Sequence, residues 1–242
     1  MHEQLSLQAA DGICPAHLFR PDGDGRWPAA IVYMDALAIR PVMIDLAARI
    51  AAAGYVVLLP DMFYRYGPYA PMVASEIQDF RKEIGPLMAT VNNAKAAEDT
   101  AYFLDFLASR PEVKGSRVGT TGYCMGGGMA LTAAGRFPDR VAAAASFHGG
   151  SLATDANESP HLLASSIKAE VYVAGADKDR AYPLEMAERL EAALTEAGVT
   201  HRCEIYEGIL HGWTMSDLAI YEEAAAERAF GELIALFDRN LG

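Results

Sequence analysis

Residues 122–126, Gly-Tyr-Cys-Met-Gly, constrain what this chain can fold into more than any other stretch. They follow a strand-like run at 117–121 and precede a helix-like run at 129–136. Where a strand turns directly into a helix, Cβ atoms crowd one another, and glycine relieves the crowding because it has none. The pattern therefore predicts a sharp strand–helix elbow that holds the side chain of Cys124 at its tip.

Cys124 is a candidate nucleophile. A thiolate at the start of a helix is stabilised by the positive end of the helix dipole. The alternative is a buried structural cysteine beside a glycine-rich turn, and the partners found later in the chain favour the nucleophile. Cys14 and Cys203 lie in strand-like runs and are expected to be small core residues. Neither the cysteines nor the histidines have metal-ligand spacing, so we expect no metal and no cofactor.

Strand-like and helix-like segments alternate along the 242 residues. The predicted strands are 4–8, 13–19, 29–34, 55–60, 117–121, 141–147, 170–174 and 201–206, and the predicted helices are 41–53, 75–84, 92–109, 129–136, 183–197 and 217–238. This alternation predicts right-handed crossovers and a mostly parallel sheet with helices on both faces. No repeat or linker divides the chain, so we predict one α/β domain over residues 1–242.

The charge of the chain excludes some partners. Asp and Glu total 32 against 20 Lys and Arg, a formal net charge of −12, and no basic run is present. We therefore expect no nucleic-acid partner. The first residues lack a charged and then apolar leader, and no apolar stretch is long enough to span a bilayer. We expect a cytoplasmic protein that has no membrane partner, and we make no prediction of its oligomeric state.

The best candidate for a base that serves Cys124 is His211. It follows the last predicted strand, 201–206, and precedes the last predicted helix. This is the position of the base in folds where the nucleophile, the acid and the histidine follow one another in that order. His148 also follows a strand, but it precedes the acid loop and so breaks the order. His201 opens a strand and is expected to be exposed.

The acid should follow the strand 170–174, where Asp177 and Asp179 are both available. We favour Asp179 because it precedes, at a common spacing, Pro183, which opens the next helix. Asp177 is closer to the end of the strand and stays possible. A carboxylate in this loop would fix the tautomer of His211 and stabilise its imidazolium form.

An oxyanion formed during acyl transfer needs backbone N–H donors. One is expected from Met125, directly after the nucleophile, and the other from the loop after strand 29–34, most simply from Ala36. Asp35 lies in the same loop. An acidic side chain beside a thiol is unfavourable unless another group offsets its charge.

On these residues the chain resembles the dienelactone hydrolase family of single-domain α/β-hydrolases. The elbow, the Gly-Tyr-x-x-x-x-Pro-Asp segment at 54–61 and the late acid and histidine loops carry the resemblance, which covers nearly the whole chain. It implies that Cys124 attacks the carbonyl of a small ester or lactone, that His211 relays the proton and that Asp179 orients His211.

The resemblance also implies residues that bind or activate the substrate. A family glutamate that contacts the resting cysteine corresponds to Asp35, which is one methylene shorter. Of two family arginines that hold the substrate carboxylate, Arg65 matches one, whereas Met215 stands in place of the other. A less charged or larger ester than dienelactone is therefore expected, and Trp213, near the base, is a candidate for the pocket wall.

Two other functions stay open. The same triad could serve a thioesterase or a peptidase, which a panel of substrates would separate. The fold could also serve as a binding module without catalysis, because fold alone does not determine function.

Overall fold

The computed structural model describes residues 1–242, which form eight strands and seven α-helices. The strands are β1 (His2–Ala9), β2 (Gly12–Phe19), β3 (Trp27–Tyr33), β4 (Val56–Pro60), β5 (Val113–Tyr123), β6 (Val141–Phe147), β7 (Glu170–Lys178) and β8 (His201–Leu210). The helices are α1 (Pro41–Ala52), α2 (Phe80–Glu83), α3 (Gly85–Met88), α4 (Asn93–Ser109), α5 (Met125–Arg136), α6 (Leu184–Glu196) and α7 (Glu223–Leu241). Short 3₁₀ helices cover Tyr64–Tyr66, Ala74–Glu76 and Pro160–Ser166.

The strands form one sheet in the order β1-β2-β4-β3-β5-β6-β7-β8. β1 and β2 pair antiparallel at one edge, and the neighbours from β4 to β8 pair parallel. Every residue of β4 and β6 is buried, as expected of parallel strands that helices cover on both faces. The predicted α/β class with a mostly parallel sheet is confirmed.

β5 turns into α5 with Cys124 as the residue between them, so the elbow helix begins at Met125 rather than at 129. A Cβ atom built on Gly122 would lie 1.8 Å from the carbonyl oxygen of Gly126. One built on Gly126 would lie 2.4 Å from the carbonyl oxygen of Tyr33 in β3. Glycine is therefore required at both positions, because α5 packs directly against the strands.

Two further predicted helices differ from the structure. The segment 75–84 is a 3₁₀ turn followed by the short helix α2. A separate helix, α3, begins directly after it, with Pro86 in its first turn. The last helix begins at Glu223 rather than at 217. The residues before it form turns, in which Asp217 binds Arg40 across the molecule.

A single cluster of 65 buried residues forms the main core, between the sheet and its helices. Phe237 of α7 is fully buried and packs on Gly119 of β5, where an added Cβ would lie 2.5 Å from its ring. None of the helices combines the length and the apolar character needed to cross a bilayer. The helices and the core thus leave the carboxyl ends of β3, β5, β7 and β8 as the edge at which loops gather.

Candidate active site

Cys124 lies at the tip of the elbow in a backbone conformation that non-glycine residues rarely adopt. Its φ is 54° and its ψ is −118°. The residue is partly exposed and stands directly before the first residue of α5. Strained geometry of this kind persists only where the surrounding structure imposes it, and it is common at functional sites.

His211 and Asp179 meet beside the elbow. The Nδ1 atom of His211 lies 2.7 Å from Oδ2 of Asp179, whose side chain is 1% exposed. The other carboxylate oxygen of Asp179 accepts the N–H of Ala181 at 2.8 Å. These contacts fix the orientation of the carboxylate and, through it, the orientation of the imidazole.

Asp177, the alternative acid, has different partners. Its two oxygens accept the backbone N–H groups of Gly208 at 2.9 Å and Ile209 at 3.0 Å. It therefore ties β7 to the end of β8, while Asp179 is the carboxylate that contacts His211. Both β7 and β8 extend beyond their predicted ends, and β8 ends directly before His211.

The pKa of His211 shows how its two neighbours act on it. Burial lowers this pKa, but hydrogen bonds to Asp179 and Cys124 and the charges of both outweigh burial and raise it to about 10. His211 is therefore protonated at neutral pH. Since Nδ1 faces Asp179, Nε2 is the ring nitrogen left to serve Cys124, which lines the same two cavities as His211.

His148 also lies at the site, although it does not fit the expected order of nucleophile, acid and histidine along the chain. It is fully buried with a φ of 39°, and its Nδ1 accepts the backbone N–H of Cys124 at 3.1 Å. Its Nε2 therefore carries the proton and donates to Oγ1 of Thr214 at 2.7 Å. Burial lowers the pKa of His148 well below the ordinary value, as does the nearby His211. His148 is thus a neutral group that holds the elbow.

The loop after β3 places Asp35 and Ala36 beside Cys124. Both oxygens of Asp35 bind the guanidinium of Arg40, at 2.6 and 2.9 Å, and one also accepts the N–H of Leu37. Arg40 is 1% exposed in its side chain and also binds Asp217, at 2.6 Å. The charge of Asp35 is therefore offset, which resolves the unfavourable pairing of a carboxylate with a thiol. The sequence contained no signal for Arg40, because its second partner is remote in the chain.

Two backbone N–H groups near Cys124 are available to a ligand. The N–H of Ala36 has no backbone acceptor. Met125 is the first residue of α5, and such an N–H has no acceptor within its own helix. The N–H of Cys124 itself is already used by Phe147 and His148.

Two cavities meet at Cys124 and His211, each of about 360 Å³. The first, here the Phe80 cavity, is lined by Asp35, Ala36, Leu37, Ala74, Ile77, Gln78, Phe80, Cys124, His148, His211, Gly212 and Leu218. The second, here the Ser151 cavity, is lined by Met88, Val91, Asn92, Asn93, Cys124, Met125, Met129, Gly150, Ser151, Thr154, Ala156, Glu158, Ser159, Ala181 and His211. Each is large enough for part of a small ligand. No cluster of three or more His, Cys, Asp or Glu side chains could hold a metal ion.

Arg65 lines neither cavity, and its expected substrate-binding role is wrong in this structure. Its guanidinium binds both oxygens of the buried Asp99, at 2.7 and 3.0 Å, and its Nε binds Asp11 at 2.5 Å. The side chain is 7% exposed. Three of its five N–H groups bind these two carboxylates, and the side chain is buried away from both cavities.

Trp213 and Met215 are also absent from both cavities. Both are fully buried. The indole of Trp213 stacks on Tyr206 and stands edge-on to the ring of His148. The expectation that Trp213 forms a pocket wall is therefore corrected: it packs behind the site and supports His148.

Comparison with known proteins identifies the group to which this chain is similar. The model of the dienelactone hydrolase family matches residues 14–241. A Synechocystis protein provisionally named a carboxymethylenebutenolidase is 28% identical over 93% of this chain and 91% of its own length. The crystal structure of a provisionally assigned dienelactone hydrolase from Klebsiella pneumoniae has a TM-score of 0.87 at 25% identity, covering 99% of this chain and 98% of its own. A dienelactone hydrolase from Anabaena variabilis has the same fold, with a TM-score of 0.70 at 20% identity over 100% of this chain and 99% of its own.

Proposed function

Since the chain belongs to the dienelactone hydrolase family, whose members act on ester and lactone bonds, we propose that it cleaves a small ester or lactone through Cys124, His211 and Asp179. One observation carries the proposal. His211 binds the buried carboxylate of Asp179 and lines both cavities together with Cys124, and Asp179 and Cys124 both raise its pKa. A nucleophile, a base and a group that orients the base are the parts that acyl transfer requires.

The first half-reaction forms an acyl-enzyme. The thiolate of Cys124 attacks the carbonyl carbon, and the N–H groups of Met125 and Ala36 stabilise the oxyanion that develops. The tetrahedral intermediate collapses when the carbon–oxygen bond of the alcohol breaks. The Nε2–H of His211 gives its proton to the leaving alkoxide, which in a lactone stays attached to the acyl group.

The second half-reaction releases the acid. His211 is neutral after it has lost its proton, and it takes a proton from water as the water attacks the thioester carbonyl. That proton restores the imidazolium, and collapse of this second intermediate breaks the carbon–sulfur bond and expels the thiolate of Cys124. Asp179 holds the imidazole in one orientation in both steps, since its carboxylate accepts the Nδ1–H throughout.

The test is the turnover of p-nitrophenyl acetate and of lactones, thioesters and peptides by the wild type and by Cys124→Ala. We expect the variant to lose at least about a thousandfold in kcat/KM, because it lacks the group that forms the covalent intermediate. Cys203→Ala, which removes a thiol outside both cavities, is the matched control and should keep its turnover. Equal turnover by Cys124→Ala, with an unchanged melting temperature, would contradict the proposal.

A further inference from the structure

We propose that the substrate carries no negative charge and that its apolar part occupies the Phe80 cavity. The inference rests on the proposed function, since it describes the occupant of the same site. Neither cavity contains a lysine or an arginine in its lining. A substrate carboxylate would therefore have to leave water without a cation to receive it.

In the Phe80 cavity every charged group is already paired. Asp35 is neutralised by Arg40, and Arg40 is shared with a second carboxylate, that of Asp217. The imidazolium of His211 is bound to Asp179. His148 is neutral because burial lowers its pKa. No positive charge is left over for a carboxylate on the substrate.

In the Ser151 cavity the charge is unfavourable to an anion. Apart from Cys124 and His211, the only titratable acid or base in its lining is Glu158, which is exposed. The other polar groups are neutral hydroxyls and amides, such as those of Ser151 and Asn92. These groups suit an uncharged polar leaving group. A carboxylate placed here would be repelled by Glu158, within a protein of net charge −12.

The wall of the Phe80 cavity suits an apolar substituent. Leu37 and Leu218 line it beside Cys124, and Ile77 and Phe80 come from the turns before and within α2. Phe80 is 50% exposed, so its ring offers apolar surface that a ligand could cover. Burying that surface against an alkyl or aryl group is favourable, whereas an unpaired carboxylate in the same place is not.

The kinetic test uses two esters that differ only at the end of the acyl chain. p-Nitrophenyl valerate ends in a methyl group, and p-nitrophenyl hemiglutarate has a carboxylate in its place. We expect kcat/KM to be at least about a hundredfold lower for the hemiglutarate, because its charge is desolvated without a partner. Turnover that depends on Cys124 but is equal or faster for the hemiglutarate would overturn this inference and leave the proposed function intact.

A second measurement does not require hydrolysis. Pentanamide and glutaramate are the corresponding uncleaved amides, and each is tested for protection of Cys124 against iodoacetamide. Protection by pentanamide alone supports the inference, and equal or better protection by glutaramate overturns it. If no ester is hydrolysed by Cys124, the proposed function fails, and this assay still decides whether the cavity rejects anions.

A substitution in its lining tests whether the Phe80 cavity is the place where the charged ester is rejected. Gln78→Arg puts a cation into the lining of the Phe80 cavity, and we expect it to raise the hemiglutarate-to-valerate ratio of kcat/KM by about tenfold. Leu184→Arg adds the same charge at a residue that is 65% exposed and lies outside both cavities, so its ratio should equal that of the wild type. A ratio that rises equally in both variants would show a general effect of charge and would contradict the assignment to this cavity.

Discussion

Asp177 and Asp179 lie two positions apart and have different partners. Asp179 binds His211, and Asp177 binds backbone N–H groups at the end of β8. A side chain at the end of a strand can face the edge of the sheet where ligands bind, or it can accept hydrogen bonds from the neighbouring backbone. Each substitution at these positions therefore tests a different function.

For Asp179→Asn we expect kcat/KM to fall by about a hundredfold or more, because an amide favours the wrong tautomer of His211. For Asp177→Asn we expect a fall of less than about tenfold and a lower melting temperature, since two backbone N–H groups lose a charged acceptor. Ester turnover and thermal unfolding of both variants are the measurements. A larger loss of turnover in Asp177→Asn would reverse the assignment of the acid.

The raised pKa of His211 gives a pH prediction. A pKa raised from 6.5 to about 10 means that the protonated form is favoured by the folded state. The stabilisation is complete below the unfolded value and is lost as the pH rises through about 10. We expect the His211 ring protons to titrate near this value by NMR, and at lower pH in Cys124→Ala, which lacks the sulfur that helps to raise this pKa. A midpoint near 6.5 in the wild type would contradict the raised pKa of His211.

Some residues of the candidate site could be predicted from the sequence because local signals mark them. Cys124 follows from the glycines around it, and His211 and Asp179 follow from their places after strands. Arg65 and Trp213 were misjudged because their environment depends on partners that no local pattern reveals. A free arginine and an arginine held by two carboxylates look the same in a sequence.

The loops after β3 and β8 are joined by Arg40. Its guanidinium binds Asp35 in the first loop and Asp217 in the second, and it is almost fully buried. The loop after β8 also carries His211, and the loop after β3 carries Ala36. One side chain thus ties the loop that carries Ala36 to the loop that carries His211.

Arg40→Met should therefore impair both stability and catalysis. It leaves Asp35 buried without its cation, which costs about 3–5 kcal/mol in the free energy of unfolding. Urea denaturation measures that loss, and kcat/KM should fall with it. Adding Asp35→Asn to this variant removes the unpaired charge and should restore part of the stability. A single variant as stable as the wild type would show that the pairing contributes little.

At the element scale, strands were easier to predict than short helices. β4 is a continuous apolar run, and β6 is apolar except for Ser146, because both faces of each strand are covered; such runs are visible in the sequence. The segment 75–84 has helix-forming residues, yet it forms only turns and a single helical turn. Its apolar side chains face a cavity and a small cluster rather than a long helix interface.

On the scale of the whole molecule, the core supports the strand that leads to the elbow. Phe237 of α7 fills the space over Gly119, in the strand that leads to Cys124. For Phe237→Ala we expect a loss of about 3–5 kcal/mol in the free energy of unfolding, from lost burial and a new void. Leu162→Ala, at a side chain that is 55% exposed, should cost less than about 1 kcal/mol.

Urea denaturation of both variants measures the difference. Below the transition, Phe237→Ala should keep most of its ester turnover, because Phe237 lines neither cavity. Equal stability losses in the two variants would mean that α7 contributes little through this residue.

The two cavities share only Cys124 and His211 among their lining residues. This division has a consequence for directed evolution. A library at Ile77, Phe80 and Leu218 would change one half of the recognised ester, and a library at Thr154 and Glu158 would change the other. Because the two sets do not overlap, improvements selected separately for each half should combine in one enzyme with little interference.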